Sequence, residues 1–161
     1  MKSKKNKNSF SFEEALAKCA SFCVYQERCK QEVYQKLKAL NVAESDANRI
    51  VEYLIAENFL NEERFAEQFA SGKFRVNRWG KLKIRAMLLQ KDIDEVHIQK
   101  AISQIDNFEY QQVIQQLIQQ KKRSLPLDMP KIQQKHRILQ FLCSKGFENE
   151  IVVQHLQKEF D

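Results

Sequence analysis

Turn-forming residues are scarce in this chain, with 3 glycines and 2 prolines in 161 residues. A β-sandwich or barrel needs tight turns at short intervals, and a phosphate-gripping α/β fold needs a glycine-rich loop. That supply builds neither, so the composition favours helices. Long apolar runs are absent too: none approaches the roughly 18 residues of a membrane span, and no membrane partner is expected. The opening carries Lys2, Lys4, Lys5 and Lys7 with no apolar stretch behind them, unlike a secretory signal. The expected location is the cytoplasm, where the four cysteines stay as thiols. Cys19 and Cys23 lie one helical turn apart and can share a metal, but Cys29 and Cys143 complete no recognised zinc spacing. Packing thiols are therefore the expectation.

Catalytic patterns are missing as well. His97, His136 and His155 show no metal-binding spacing, and no serine or cysteine stands in a nucleophile motif. The acidic pairs Glu13-Glu14 and Glu62-Glu63 open amphipathic segments, where they suit the positive end of a helix dipole. No catalytic residue, metal or cofactor is assigned, and a non-enzyme is expected.

What is present is a helical repeat. Hydrophobic residues make up 43% and charged residues 30%, enough for a packed core. Residues 33–54, 84–105 and 138–159 superpose without gaps. Apolar residues coincide at Leu37, Leu88 and Leu142, at Val42, Ile93 and Phe147, at Ala47, Ile98 and Val152, and at Val51, Ile102 and Leu156. A further column holds Asn41, Asp92 and Gly146, the residue types that best tolerate the left-handed conformation ending many helices. Each copy thus reads as helix, tight cap, helix. His155 shares a column with Ile50 and Ala101, so a half-buried structural role is expected for it.

An amphipathic segment precedes each pair. The first runs over 12–25 behind Ser11, with Glu14 completing a capping box. The second starts at Asn61 and sets Phe65, Ala66 and Phe69 on one face; the third starts near Asp106. The expectation is all-α: three tandem three-helix repeats over 12–60, 61–106 and 107–160, behind a basic tail at 1–9. Units of about 50 residues bury little surface alone, so they should lean on one another as an elongated, curved monomeric array. Pro126 and Pro130 mark the one obvious loop, Ser124–Pro130, inside the third repeat.

The net charge is +6, which suits polyanionic partners. From Gln68 to Lys91 there is no acidic residue, while Lys73, Arg75, Arg78, Lys81, Lys83, Arg85 and Lys91 all fall there. Phe74 and Trp79 interleave with them. Each either packs inward or offers a ring to a base or a partner surface. The contact candidates are Lys73, Arg75, Arg78, Trp79, Lys81, Lys83 and Arg85. A second patch, Lys121, Lys122 and Arg123, closes a helix, where it either binds a partner or only complements the dipole.

Residues 60–66, Leu-Asn-Glu-Glu-Arg-Phe-Ala, resemble the leucine–aspartate–aspartate/glutamate–x–arginine–tyrosine/phenylalanine–alanine signature of RecX proteins, bacterial modulators of the RecA recombinase. The stretch from Lys73 to Ile84 is similar to that family's basic, glycine-containing joint, and Lys91-Asp92-Ile93 stands where lysine–glycine–isoleucine is usual. Upstream, residues 27–33 with Lys36-Leu37 resemble its arginine/serine–x–x–glutamate–leucine–x–x–lysine–leucine stretch. Cys29, Lys30 and Val33 depart from the usual residues there, and Asn41 and Asp92 replace capping glycines. The resemblance covers about residues 12–160. It implies tandem three-helix repeats, binding to RecA and in the groove of the RecA–DNA filament, inhibition of strand exchange and ATP hydrolysis, and weak direct binding to single-stranded or duplex DNA. The alternative left by the residues themselves is a basic helical DNA-binding protein, a repressor or an architectural protein, acting without RecA.

Overall fold

The computed structural model describes residues 9–161, so the basic tail expected at 1–9 lies, but for Ser9, outside the described residues. These form helices and no strand: α1 (Phe12–Tyr25), α2 (Lys30–Ala39), α3 (Glu44–Ala56), α4 (Glu62–Arg75), α5 (Lys81–Gln90), α6 (Glu95–Ser103), α7 (Asn107–Ser124), α8 (Lys131–Ser144) and α9 (Asn149–Phe160). The all-α, tandem three-helix expectation is met.

Local chemistry explains where the helices start. The Ser11 hydroxyl accepts the Glu14 amide at 3.2 Å, and the Ser11 amide donates to the Glu14 carboxylate at 2.9 Å, the expected capping box. Asn61 Oδ1 accepts the Arg64 amide at 3.0 Å before α4, and Asp106 Oδ1 accepts the Glu109 amide at 2.8 Å before α7. Helix ends follow the repeated column: Asn41 and Asp92 have φ of 56° and Gly146 of 92°. The Val42 and Phe147 amides reach back to the Leu37 and Leu142 carbonyls, closing the last turn as in a Schellman motif. Two more left-handed residues, Asn58 (φ 62°) and Arg78 (φ 54°), end α3 and α4. There the Leu60 amide bonds Leu54 O, and the Trp79 amide bonds Lys73 O.

The chain divides into two compact units. The first holds α1 to α3, the start of α4 up to Phe65, and residues 91–93. Its core gathers Ala15, Cys19, Val33, Leu37, Ile50, Val51, Leu54 and Leu60. Arg64 Nε donates to Glu27 Oε1 at 2.8 Å, and Lys91 Nζ meets Glu32 Oε1 at 3.2 Å. Cys19, Cys23 and Cys29 are buried free thiols. Burial raises all three, the Cys23 thiol to about 11. Among the described residues no three His, Cys, Asp or Glu side chains converge as a metal site, and no helix is long and apolar enough to cross a membrane.

The second unit holds residues 66–90 and 94–161. Tyr110, Ile114, Leu117 and Ile118 of α7 are buried, as are Ile138 and Leu142 of α8 and Val152 and Leu156 of α9. His155 is half-buried on α9, with its ring nitrogens against the side-chain oxygens of Gln111 and Gln115 on α7, matching the structural role expected. The segment between α7 and α8 is the expected proline-marked loop.

Candidate functional site

All the contact candidates from Lys73 to Arg85 lie in the second unit, on the last turn of α4, the joint behind it and α5. The joint is built by close backbone packing. The Gly80 amide donates to Lys145 O at 2.8 Å and the Leu82 amide to Gly146 O at 3.0 Å. Between them, the Lys81 amide donates to the Tyr110 hydroxyl at 3.1 Å, and that hydroxyl donates to Glu148 Oε2 at 2.6 Å. Burial, followed by the bond to Glu148, pushes the Tyr110 phenol well above its ordinary range. A Cβ on Gly80 would sit 2.2 Å from the Gly146 carbonyl carbon, and one on Gly146 would sit 2.2 Å from Lys83 Cβ. Only glycine allows this approach.

Phe74 packs inward, 2% exposed, with its centroid 5.6 Å from Tyr110, whose ring lies 5.3 Å from Phe147. Trp79 stays half-buried, edge-on to Phe69 at 6.5 Å. Lys73 Nζ lies 4.9 Å and Lys83 Nζ 4.5 Å from the Trp79 centroid, and Lys81 Nζ lies 4.6 Å from that of Tyr110. Aromatic faces hold these ammonium groups without cancelling their charge. Arg78 Nη1 donates to Gln116 Oε1 at 2.6 Å, again a neutral partner.

Two other candidates are partly neutralised. Arg85 meets Glu95 at 2.9 Å. Arg75, 67% exposed, meets Glu109 at 3.6 Å, and both line a small cavity with Glu67, Ser71 and Asp106. In the second patch, Lys122 bonds Glu159 at 2.7 Å and lies over the Phe160 ring, and Lys121 lies over Phe141, while Arg123 is exposed. The site is therefore a quartet, with Lys73 and Lys83 against Trp79, Lys81 against Tyr110 and Arg78 bonded to Gln116.

Sequence reasoning missed Tyr110, Glu148 and the Gly80–Gly146 contact, which set the joint's geometry. The one available signal was Gly146 in the cap column. Its partner lies far away along the chain, and spacing alone does not reveal it.

These features define a class: an all-α protein of tandem three-helix units with a basic, aromatic-backed joint in the middle. The family model for the second three-helix domain of RecX matches residues 61–102. That segment therefore matches a RecX domain, and most of the chain is similar to RecX proteins. The chain is 26% identical to the regulatory protein RecX of Bacillus cytotoxicus over 92% of this chain and 56% of that protein. It is 29% identical to the regulatory protein RecX of Streptococcus uberis over 89% of this chain and 54% of the relative. The chain thus spans about half the length of those relatives. Among solved structures, RecX from Lactobacillus salivarius aligns with a TM-score of 0.81 at 22% identity, covering 91% of this chain and 95% of that one. Another crystal structure, of a regulatory protein RecX, aligns with a TM-score of 0.79 at 21% identity, over 90% of this chain and 74% of that one.

Proposed function

We propose that this protein is a non-catalytic, cytoplasmic regulator that binds RecA and the RecA–DNA filament and mainly inhibits recombinase and ATPase activity. One observation carries the reading. On the segment that matches the RecX domain, Lys73, Arg78, Lys81 and Lys83 have no carboxylate within ion-pair distance among the described residues. Clustering like charge costs folding energy, so an uncompensated cluster implies an acidic partner. The proposed modules, 12–60, 61–106 and 107–160, engage successive subunits of one filament. A second contact on the same chain then forms at high effective concentration, favouring filament over free RecA.

The test is the triple variant Arg78→Ala/Lys81→Ala/Lys83→Ala. It should stay folded and inhibit RecA ATPase on single-stranded DNA at least about tenfold more weakly, in keeping with losing a hot-spot cluster. Undiminished inhibition by the folded variant would refute the assignment. Equal affinity for bare and RecA-coated DNA, with a steep salt slope, would favour the DNA-only alternative.

A further inference from the structure

Helix α5 has two apolar faces, and the fold uses only one. Ile84 and Leu88 point inward and are fully buried. Leu82, Ala86 and Leu89 recur at four- and three-residue spacing, which sets them in one stripe on the opposite side. All three are exposed, Leu82 by 53% and Leu89 by 44%. The same spacing puts Lys81 and Arg85 along one edge of the stripe and Lys83 along the other. The edges are basic: Lys83 rests on Trp79 and Lys81 on Tyr110, and only Arg85 has a carboxylate partner.

A phosphate backbone explains the cations but not the leucines between them. Nor is the start of α5 a phosphate cradle. Such cradles aim free first-turn amides at the anion, whereas here the Gly80, Lys81 and Leu82 amides are taken by Lys145 O, the Tyr110 hydroxyl and Gly146 O. Two lysines at the positive end of a helix dipole also work against folding. An apolar stripe with cationic edges fits the inverse of itself: a protein patch that is apolar at its centre and carboxylate-rich at its rim.

We infer that the outward face of α5 docks such a protein surface, and, resting on the filament reading above, that the surface belongs to the recombinase and not to DNA. Leu82 and Leu89 carry the affinity, and Lys81, Lys83 and Arg85 set the register.

The full chain tests this in two variants, Leu82→Gln/Leu89→Gln and Ala86→Arg. Both alter exposed positions to good helix formers, and circular dichroism checks the fold. Binding is measured to RecA-coated single-stranded DNA and to the bare oligonucleotide. Each variant should lose at least about tenfold on the coated strand, as hot-spot truncation does, with bare-strand affinity held within about twofold. Unchanged binding to the coated strand by either folded variant overturns the docking face and leaves the filament reading intact. Equal losses on both substrates make α5 a nucleic-acid surface and overturn the inference. If the unaltered protein shows no preference for the coated strand, the filament reading fails and takes this inference with it.

Discussion

At the scale of single residues, the joint depends on the absence of two side chains and on one unusual backbone. A Cβ on Gly80 meets backbone atoms of Gly146 and Phe147, which cannot rotate away as a flexible side chain would. Gly80→Ala should therefore cost about 1–3 kcal/mol, the range for overpacking a rigid site, read as a lower urea midpoint. Wild-type stability in that variant would contradict the close contact. Arg78 behaves oppositely. Its left-handed φ strains any residue with a Cβ, and its hydrogen bond to Gln116 is exposed. Arg78→Gly relieves that strain and adds unfolded-chain entropy, so its stability should lie within about 1 kcal/mol of wild type. The same variant removes a cation from the quartet, so its RecA-filament affinity should fall while its urea midpoint does not. A loss of both together would show that Arg78 supports the fold and not the interface.

At the scale of helices, α9 is held to α7 by polar groups that titrate in separate ranges. Burial, helped by Lys158, holds His155 below the usual 6.5. The folded state therefore favours the neutral ring. The stability this brings is present above about pH 6.5 and is lost as pH falls through the lowered folded value. Glu159 is held below 4.5, first by its bond to Lys122 and then by Gln119, so its contribution fails only in stronger acid. Between pH 7.5 and 5.0 the wild-type urea midpoint should drop, and His155→Gln should flatten that drop. A slope unchanged by the substitution would place the sensitive group elsewhere. Helices and their caps were the legible part of this protein. Ser11, Asn61 and Asp106 act on amides three residues away, and Asn41, Asp92 and Gly146 act on their own backbone, so local sequence carries the information. Arg78 was not legible, because arginine has no preference for a left-handed backbone and is tolerated only where the surrounding joint demands it. Nor was the fate of each cation: Arg75 and Glu109, or Lys122 and Glu159, meet only after distant helices pack.

At the scale of the whole molecule, the thiols distinguish the two units. Cys19, Cys23 and Cys29 all fall in the first unit and are buried, while Cys143 falls in the second and is half-buried. An alkylating reagent attacks the thiolate, and burial raises every one of these groups, so exposure decides the order. At pH 8 Cys143 should react first. Cys23, raised to about 11, stays protonated until its surroundings open. A compact unit with one core opens cooperatively, and Cys19 and Cys23 belong to the core cluster of the first unit. Mass spectrometry along a shallow urea series should therefore find chains with one label and chains with four, and few with two or three. If Cys29 took label well before Cys19 and Cys23, α2 would be opening by itself, and the first unit would not be a single cooperative body. Labelling of the three thiols at a midpoint distinct from loss of total helix signal would show that the units melt separately. A coincident midpoint would instead mean that they share one transition.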